Sequence, residues 1–448
     1  MDLVMDRVKQ SIGIAVAIMM TLLWLQAEPS LFSSQNVFKW RSALVQYSGI
    51  LALMMFSVAM LLALRLATIE RWTQGIDKGY RIHKWLGIVG LSLGVFHWFT
   101  YHLPKWLISL ELLEKPVRFD GSGPHGQLSE WGVWLKQAKP VAMAMGEWGF
   151  YLLIALVVVS LWSAVKYKSF RLSHQLMPVA YLLIAAHAFI LLKKAYLGTP
   201  IYWVTLLFLS VGSLAALYSL FGLIGKKARY AAQVTRLHYC PNSQTLDLTV
   251  TVENRWNGHK AGQFVYLRFA DEEPHPFTIA SATQGNQLRF LIKELGDFTT
   301  GLRDRIRVGE QLEIEGPYGQ FDFSANKAQI WIGGGVGIAP FMAGLDALAA
   351  IEHSRRVHLF FCCQKVDPQM CEELKRKAHV AHASLTIIDA SVAPLLTAED
   401  IAKQCGDLRE YDFYFCGPVA FSHALKQALK PYRVDTHQRF HEEWFVMR

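Results

Sequence analysis

Cysteine is scarce in this chain and unevenly placed. Six of the 448 residues are cysteine, and none precedes Cys240. No two of them have the C-x-x-C spacing, and no group has the spacing of a zinc or iron–sulfur site. The cysteines are therefore expected to be reduced thiols in the cytosol, and a disulfide framework is excluded as an explanation of the fold.

Other signals are missing as well. The chain has no internal repeats and no low-complexity tracts. The first apolar run is followed by further apolar runs, so no cleavable signal peptide is expected. The net charge is +9, but the basic residues flank apolar segments, which argues against nucleic acid as a partner.

Hydrophobic residues are abundant, at 52% of the chain, and the mean hydropathy is +0.21. They are concentrated in the first half. Six stretches approach the roughly 20 residues that a helix needs to cross a bilayer. They predict a six-helix transmembrane bundle with spans at Val8–Gln26, Ala43–Leu64, Ile82–Leu103, Trp148–Val165, Leu172–Leu192 and Tyr202–Leu223.

The basic residues predict how this bundle is oriented. They cluster in three connections: Arg65, Arg71, Lys78, Arg81 and Lys84; then Lys166, Lys168 and Arg171; then Lys226, Lys227 and Arg229. Basic connections stay on the cytoplasmic side of a membrane. We therefore expect a multi-pass protein with both termini cytoplasmic. The segment Pro104–Glu147 is predicted to be an external loop with at most one short helix.

Four histidines lie in the apolar stretches. His83 and His97 are separated by about 21 Å and nearly four whole turns of helix, so they share one face. His174 and His187 would lie about 140° apart on an ideal helix, and a kink at Pro178 is predicted to correct this. Ionisable groups at membrane depth usually mark function, and imidazole is a common haem ligand. The pairs therefore predict axial ligands for two haems.

The alternative for these histidines is interhelical hydrogen bonding without a metal. His102 lies outside the paired pattern and is interpreted as an interface residue.

The second half has the pattern of a soluble protein. Turn residues separate short strands at Thr245–Val252, Gln263–Phe269, Leu288–Ile292 and Gln311–Glu315, which predicts an antiparallel β-barrel. Strands at Ile330–Ile332, His358–Cys362, Ser384–Ile388 and Asp412–Cys416 alternate with helical stretches, which predicts a doubly wound α/β domain. The predicted domains are 1–226, 227–325 and 326–448.

Three motifs in this half suit nucleotide cofactors. In the turn predicted at His275-Pro-Phe-Thr278, the Thr278 hydroxyl could meet the polar edge of a flavin. The segment Lys293–Thr300 places hydroxyls where a helix is predicted to begin, which suits a pyrophosphate. The glycine loop Gly333–Phe341 follows an apolar strand, as phosphate-binding loops do.

Each of these motifs also has a plainer interpretation. The first two could be a turn and a helix cap. Cys416, in Phe415-Cys-Gly-Pro418, could sit beside a nicotinamide or could be a buried small residue.

Taken together with the C-terminal Phe440-His-Glu-Glu-Trp-Phe445, these motifs resemble the NADPH oxidase and ferric reductase superfamily. The sequence is most similar to the compact bacterial NADPH oxidases, and the resemblance extends over nearly the whole chain. It implies that the soluble half is a ferredoxin-reductase-like module. It also implies that His83 with His174 hold an inner haem b, and His97 with His187 an outer one, in a bacterial inner membrane.

The resemblance also implies FAD and NADPH, or NADH, as cofactors. Flavin contacts would come from His275, Pro276, Phe277 and Thr278, with Lys293, Gly296 and Thr299 near its phosphates. Nicotinamide nucleotide contacts would come from Gly333, Gly334, Gly335, Gly337, Ile338, Pro340, Phe341, Cys416, Gly417 and Pro418. Phe445, ahead of Trp444, would cover the flavin ring, although Val446–Arg448 follow it here. Lys365 stands where relatives carry an arginine for the 2′-phosphate, which favours NADPH.

The implied activity is electron transfer from cytosolic NAD(P)H through FAD and the haems to a small-molecule acceptor across the membrane. Oxygen, giving superoxide, is the first choice, and a ferric chelate is the second. A subunit that delivers electrons to a periplasmic partner and a haem or iron sensor are further alternatives. Arg41, at the outer start of the second span, could stabilise superoxide or could be a snorkelling interface charge. The sequence predicts no oligomeric state.

Overall fold

The computed structural model describes residues 2–115, 130–162, 164–253, 255–269, 272–282, 285–296, 298–365, 367–392 and 394–443. The chain forms two compact units. The helical unit comprises Arg7–Leu66 and Gly79–Ile224. The sheet unit comprises Met1–Asp6, Ala67–Lys78 and Gly225–Arg448.

In the part of the chain that the structure describes, eight α-helices precede the first strand. They are α1 (Asp2–Ala27), α2 (Val37–Leu62), α3 (Ala67–Thr73), α4 (Ile76–Ser109), α5 (Glu130–Leu161), α6 (Tyr167–His174), α7 (Met177–Leu191) and α8 (Pro200–Leu220). Local sequence fixes several of their ends. The Asn36 side chain accepts hydrogen bonds from the amides of Phe38 and Lys39, which caps α2. Prolines occupy the first turns of α7 and α8, where a missing N–H costs nothing.

Within the described residues, five helical segments are long and apolar enough to cross a membrane. They are Val37–Leu62, Ile76–Ser109, Val133–Leu161, Lys168–Leu191 and Pro200–Leu220. The predicted first span falls in α1, whose described apolar part, Gly13–Ala27, is shorter than a span. A multi-pass membrane protein is thus supported, and the sixth span stays a prediction.

The prediction of an external loop over Pro104–Glu147 is wrong at both ends. Helix α4 continues through Pro104 to Ser109, and α5 begins at Glu130 and includes Pro140. Each proline removes one backbone donor, and a long helix that keeps its other hydrogen bonds tolerates that loss. The glycine-containing stretch 120–126 lies outside the described residues.

The kink predicted at Pro178 is a break between two helices. Helix α6 ends at His174, and α7 begins at Met177. Between them the Leu176 amide donates to the Ser173 carbonyl at 3.0 Å, a tighter turn than the α-helix makes. Because of this break, the side chains of α6 and α7 do not keep the angular spacing that one continuous helix would give them.

The core of the helical unit is apolar, with a few polar groups that pair with one another. Leu53 and Phe56 of α2 pack in one cluster with Leu153 of α5 and Ala216 of α8. The Ser57 and Tyr181 hydroxyls are hydrogen bonded at 2.9 Å inside this core.

The first sheet of the sheet unit is antiparallel. Its strands are β1 (Arg229–Cys240), β2 (Thr245–Val252), β3 (Phe264–Arg268), β4 (His275–Thr278), β5 (Gln287–Lys293) and β6 (Gln311–Tyr318), in the order β4-β3-β6-β1-β2-β5. The four strands predicted here are confirmed. Just past β4, the Ala280 amide donates to the Arg289 carbonyl of β5 at 2.8 Å, so the two edges of the sheet approach each other. Leu248, Phe290 and Ile314 lie in its core.

The second sheet is parallel throughout. Its strands are β7 (Ala328–Gly334), β8 (Val357–Cys363), β9 (Ser384–Asp389), β10 (Tyr411–Cys416) and β11 (Phe440–Glu442), in the order β11-β10-β7-β8-β9. One short helix, α9 (Leu302–Arg305), precedes β6 of the first sheet. The helices that follow β7 along the chain are α10 (Ala339–Ala349), α11 (Pro368–Val380), α12 (Ala398–Cys405), α13 (Val419–Leu429) and α14 (Thr436–Arg439). The predicted doubly wound arrangement is confirmed, and β11 is an additional edge strand. The strand order reverses between β7 and β10, where such sheets open a crevice for ligands.

Candidate cofactor-binding sites

The four histidines form two pairs inside the helical unit. The ring centroids of His83 and His174 are 5.9 Å apart, and those of His97 and His187 are 6.2 Å apart. Two imidazoles that share one metal through bonds of about 2 Å have centroids about 6 Å apart. The break after His174 is what lets both pairs form, because it turns His174 and His187 toward the same neighbour, α4. Each pair fits a single metal centre.

Backbone carbonyls orient three of these rings. The Nδ1 atoms of His83, His97 and His187 lie 2.8, 2.9 and 2.9 Å from carbonyl oxygens. A carbonyl only accepts, so each Nδ1 carries the proton and each Nε2 is left for a metal. The carbonyls belong to Ala59, Val45 and Ala142 in turn. Sequence reasoning missed them because any residue type supplies a carbonyl.

Two glycines make room for the outer pair. A β-carbon at Gly146 of α5 would lie 2.1 Å from Nδ1 of His187. A β-carbon at Gly49 of α2 would lie 3.0 Å from Nδ1 of His97. The His187 ring thus rests against backbone where a β-carbon does not fit, and the His97 ring lies against backbone where a β-carbon would be tight. A glycine inside an otherwise apolar helix is the sequence signal that could have found these sites.

Two cationic side chains, Arg41 and Lys105, lie over the ring of Tyr101, which is one helical turn beyond His97. The Arg41 guanidinium donates from Nε and Nη2 to the Tyr101 carbonyl at 3.2 and 3.0 Å and lies 4.5 Å from the Tyr101 ring centroid. The Lys105 ammonium lies 4.8 Å from the same centroid. His102 instead packs between Trp98 and Trp106, at centroid distances of 4.7 and 5.9 Å.

Gln46 of α2 fixes the end of the helix that carries His187. Its amide nitrogen donates to the Leu191 carbonyl at 3.0 Å, and its amide oxygen accepts from the Lys193 N–H at 3.1 Å. The last carbonyls of a helix need such partners. One turn of α2 thus supports both outer ligands, since the carbonyl of neighbouring Val45 holds His97.

In the sheet unit, the expected His275–Thr278 turn is strand β4, paired with β3 so that Thr278 lies opposite Phe264. All four of its residues are half-buried. The His275 ring stacks on Phe298 with centroids 3.8 Å apart. This segment is a strand and not a turn because it pairs with β3, and Pro276 lies in an edge strand, where its missing N–H is tolerated.

The predicted helix start at Thr299 is also wrong. The helix there, α9, is a single turn that begins at Leu302 after Gly301, which has a positive φ of 71°. The Thr299 hydroxyl oxygen accepts from the amides of Leu295 and Gly296 at 2.9 and 3.1 Å. These amides are therefore engaged locally. Lys293 is the last residue of β5, just before this segment.

The glycine loop and the Cys-Gly-Pro segment are in contact at the crevice of the parallel sheet. A β-carbon at Gly337 would lie 2.1 Å from the Cys416 carbonyl oxygen, and one at Gly334 would lie 2.9 Å from Cδ of Pro418. Gly335 has a φ of 59° and open space around it, which suits a phosphate. Pro340 and Phe341, next along the chain, are buried in α10. The loop fits a dinucleotide.

The Cys416 side chain is buried at the end of β10. Burial raises the pKa of its thiol well above the ordinary value, and the Glu443 carboxylate acts in the same direction. Cys416 is therefore a neutral thiol. Lys365 is exposed, and its amide donates to Asp389 at 3.1 Å. Phe445 and Trp444 lie outside the described residues.

Two carboxyl groups that the sequence analysis missed flank Gly319. The Gly319 amide donates to Glu70 of α3 at 2.6 Å, within the sheet unit. A β-carbon at Gly319 would lie 3.2 Å from Glu443. Burial, reinforced by neighbouring carboxylates, raises the pKa of both Glu70 and Glu443, although the Gly319 amide opposes the shift at Glu70.

Comparison with known proteins matches three families in succession. Residues 48–185 match the ferric reductase like transmembrane component, 229–322 the FAD-binding domain and 331–427 the oxidoreductase NAD-binding domain. The first match includes three of the four paired histidines and ends before His187. The chain thus combines a ferric reductase-like membrane domain with a ferredoxin-reductase-like FAD and NAD module.

Individual relatives are more distant. A flavohemoprotein of Pseudomonas putida is 28% identical over 197 residues, which are 40% of this chain and 50% of that protein. Dual oxidase 2 of Rattus norvegicus is 26% identical over 301 residues, which are 61% of this chain and 18% of the oxidase. A cytochrome P450 reductase from Amycolatopsis has a TM-score of 0.42 at 20% identity, over 48% of this chain and 69% of that chain.

The chain spans about half the length of the first of these relatives. The three matched domains, in this order, together with the partial similarity to dual oxidase 2, support a place in the NADPH oxidase and ferric reductase superfamily.

Proposed function

We propose that this chain is a transmembrane oxidoreductase that takes electrons from cytosolic NAD(P)H and delivers them to a small acceptor across the membrane. The observation that carries the proposal is the geometry of the two histidine pairs, whose rings are spaced for one metal each. His83 and His174 would hold the inner b-type haem, and His97 and His187 the outer one. The basic connections favour cytoplasmic termini, and the resemblance to compact bacterial NADPH oxidases favours a bacterial inner membrane.

The cofactors supply the electron chemistry: nicotinamide gives electrons in pairs, haem takes them singly, and flavin does both. The residues of the sheet unit would bind and orient the nicotinamide nucleotide and the flavin. The loop from Gly333 to Gly337 would hold the nucleotide phosphates, and the neutral thiol of Cys416 would lie against the nicotinamide without competing as an anion. Thr278 would meet the flavin edge, Phe445 would cover the flavin ring, and Lys365 would favour NADPH.

The direct test is a reduced-minus-oxidised spectrum of the purified full-length protein. With NADPH as the sole donor and without oxygen, we expect the bands of b-type haem and a content of two haems per chain. NADH should reduce the same haems more slowly, because it lacks the phosphate that Lys365 would pair with. Absence of a b-type signal, with dithionite as well as NADPH, would show that the proposal is wrong.

For the acceptor, oxygen giving superoxide is the first choice and a ferric chelate is the second. The pair of cations on Tyr101 favours an anion at the outer end, and superoxide is the anion that oxygen would form there. We expect superoxide-dependent cytochrome c reduction in air to exceed ferric citrate reduction without oxygen. The reverse ranking would assign the chain to the ferric reductases.

Arg41→Met should lower superoxide formation about tenfold, equivalent to about 1.4 kcal/mol of lost stabilisation, with haem content unchanged. The matched control is Lys39→Met, because Lys39 lies on the same turn of α2 but donates to Ser30. Equal rates in the two variants would exclude Arg41 from the acceptor site.

A further inference from the structure

One of the four paired histidines is held differently from the others. The Nδ1 atom of His174 lies 3.1 Å from the Ser160 hydroxyl oxygen, whereas the other three rings bond to backbone carbonyls. Ser160 belongs to α5, and His174 is the last residue of α6. The ring therefore depends on a side chain of another helix, at a point where its own helix stops.

The direction of this hydrogen bond is fixed by a second one. The Ser160 hydroxyl lies 2.7 Å from the Leu156 carbonyl, one turn back in α5. A hydroxyl has one proton, and a carbonyl can only accept, so that proton goes to Leu156. The remaining lone pairs of Ser160 accept the Nδ1 proton of His174. This leaves Nε2 of His174 for a metal, with the His83 ring centroid 5.9 Å from that of His174.

We propose that Ser160 is the positioning residue of the inner haem. It orients His174, and it sets the electron-donating strength of that ligand separately from the other three. This inference rests on the proposed function, since it assigns Ser160 to the haem that His83 and His174 would hold.

The expected electrochemical effect has a definite sign. A hydrogen bond accepted from Nδ1–H makes an imidazole a stronger donor to its metal and favours the oxidised metal. Loss of the Ser160 hydroxyl should therefore raise the midpoint potential of the inner haem. The hydrogen bonds described for Ser160 go to Leu156 and His174 and not to His97 or His187, so the outer haem should keep its potential.

The chain offers a matched control at the outer pair. The Ser48 hydroxyl likewise donates to a carbonyl one turn back, that of Leu44, at 2.7 Å. It lies 3.5 Å from Nδ1 of His97, but that atom has a closer partner in the Val45 carbonyl at 2.9 Å. Removing the Ser48 hydroxyl should therefore leave both potentials unchanged.

The experiment compares Ser160→Ala, Ser160→Thr and Ser48→Ala in the purified full-length protein. Each is titrated with chemical reductant and oxidant, followed by haem absorbance and by the electron paramagnetic resonance of the ferric haems. NADPH is not used, so the result does not depend on the flavin or nucleotide sites. In Ser160→Ala one of two potentials should rise and one of two ferric signals should change. Ser160→Thr, which keeps the hydroxyl, and Ser48→Ala should match the parent protein.

Each result of this comparison either supports or contradicts the positioning role of Ser160. Loss of one haem in Ser160→Ala, with both retained in Ser160→Thr, also supports the positioning role. Unchanged potentials in Ser160→Ala would overturn it, as would equal shifts of both haems or a shift in Ser160→Thr equal to that in Ser160→Ala. A parent protein without haem would instead refute the proposed function itself.

Discussion

Replacing Gly146 with alanine is expected to release the outer haem and leave the inner one bound. The new β-carbon would lie 2.1 Å from Nδ1 of His187 and 2.5 Å from Cε1, far inside contact distance. The ring cannot yield in place, because its Nδ1 is bonded to the Ala142 carbonyl at 2.9 Å. His187 must swing away and lose its partner His97. The haem content should fall from two per chain to one, as measured by the pyridine haemochrome assay.

Electron delivery to the external acceptor should fall more than about 100-fold in this variant, since even the loss of a group that only supports a metal ligand costs about 10- to 100-fold. Reduction of flavin by NADPH should continue. His187→Ala should behave in the same way. If Gly146→Ala kept both haems and the parent rate, the assignment of His187 as a ligand would be wrong.

The structure also predicts a graded series. Gly49→Ala places its β-carbon 3.0 Å from Nδ1 of His97, a contact that a shift of a few tenths of an ångström relieves. Its loss of haem should be smaller than that of Gly146→Ala. Gly13→Ala, on apolar helix α1, meets nothing within 4 Å and serves as the control.

Replacing Arg289 with methionine is expected to destabilise the sheet unit by about 3–5 kcal/mol, the usual cost of leaving a buried charge without its partner. Arg289 of β5 donates to both carboxylate oxygens of Asp247 at 2.8 Å and to Glu373 of α11 at 2.5 Å. Asp247 is buried on β2. For a unit of this size the loss corresponds to a fall in Tm of roughly 6–20 °C. Thermal unfolding of the full-length protein, followed by flavin fluorescence, measures it.

Two further variants separate the charge effect from a general loss of packing. The double variant Arg289→Met with Asp247→Leu removes both members of the buried Arg289–Asp247 pair, and Glu373 keeps Lys377 at 3.9 Å. It should recover most of the lost Tm, because apolar replacements of a buried pair are often tolerated. Arg409→Met removes an exposed arginine that pairs only locally with Asp407, and its Tm should not change measurably. A double variant no more stable than the single one would contradict the explanation.

The sequence was most informative where the chemistry of side chains defines a pattern. Period and spacing placed His83 and His97 on one face, and the structure pairs them with His174 and His187. The rotation per residue of an ideal helix also showed that His174 and His187, thirteen residues apart, would not share one face. Pro178 located the helix irregularity to within a few residues. The irregularity is a break before Pro178, because proline favours the first turn of a new helix.

Other features could not be read from the sequence because backbone atoms make them. The carbonyls of Ala59, Val45 and Ala142 orient three rings, and neighbouring side chains do not reveal them. Strand β4 contains a proline and depends on pairing with β3, which local propensity does not encode. The extents of α4 and α5 were underestimated because mixed charges and glycines between residues 104 and 147 indicate a loop, whereas both helices extend into that segment and each includes a proline. Glu70 is distant in sequence from Gly319 and shows no motif.

The support that α2 gives to the outer pair has a consequence for electron tunnelling. The Val45 carbonyl is bonded to the His97 ring, and the Gln46 side chain is bonded to the end of the helix that carries His187. Arg41 lies one turn away on the same helix, α2. A tunnelling rate depends steeply on the gap between donor and acceptor. Because a helix has a fixed rise per residue, thermal motion moves the ring supports and the proposed acceptor cation together. In the proposed relay, the spacing of residues along α2 would therefore help to keep the length of the last electron transfer constant.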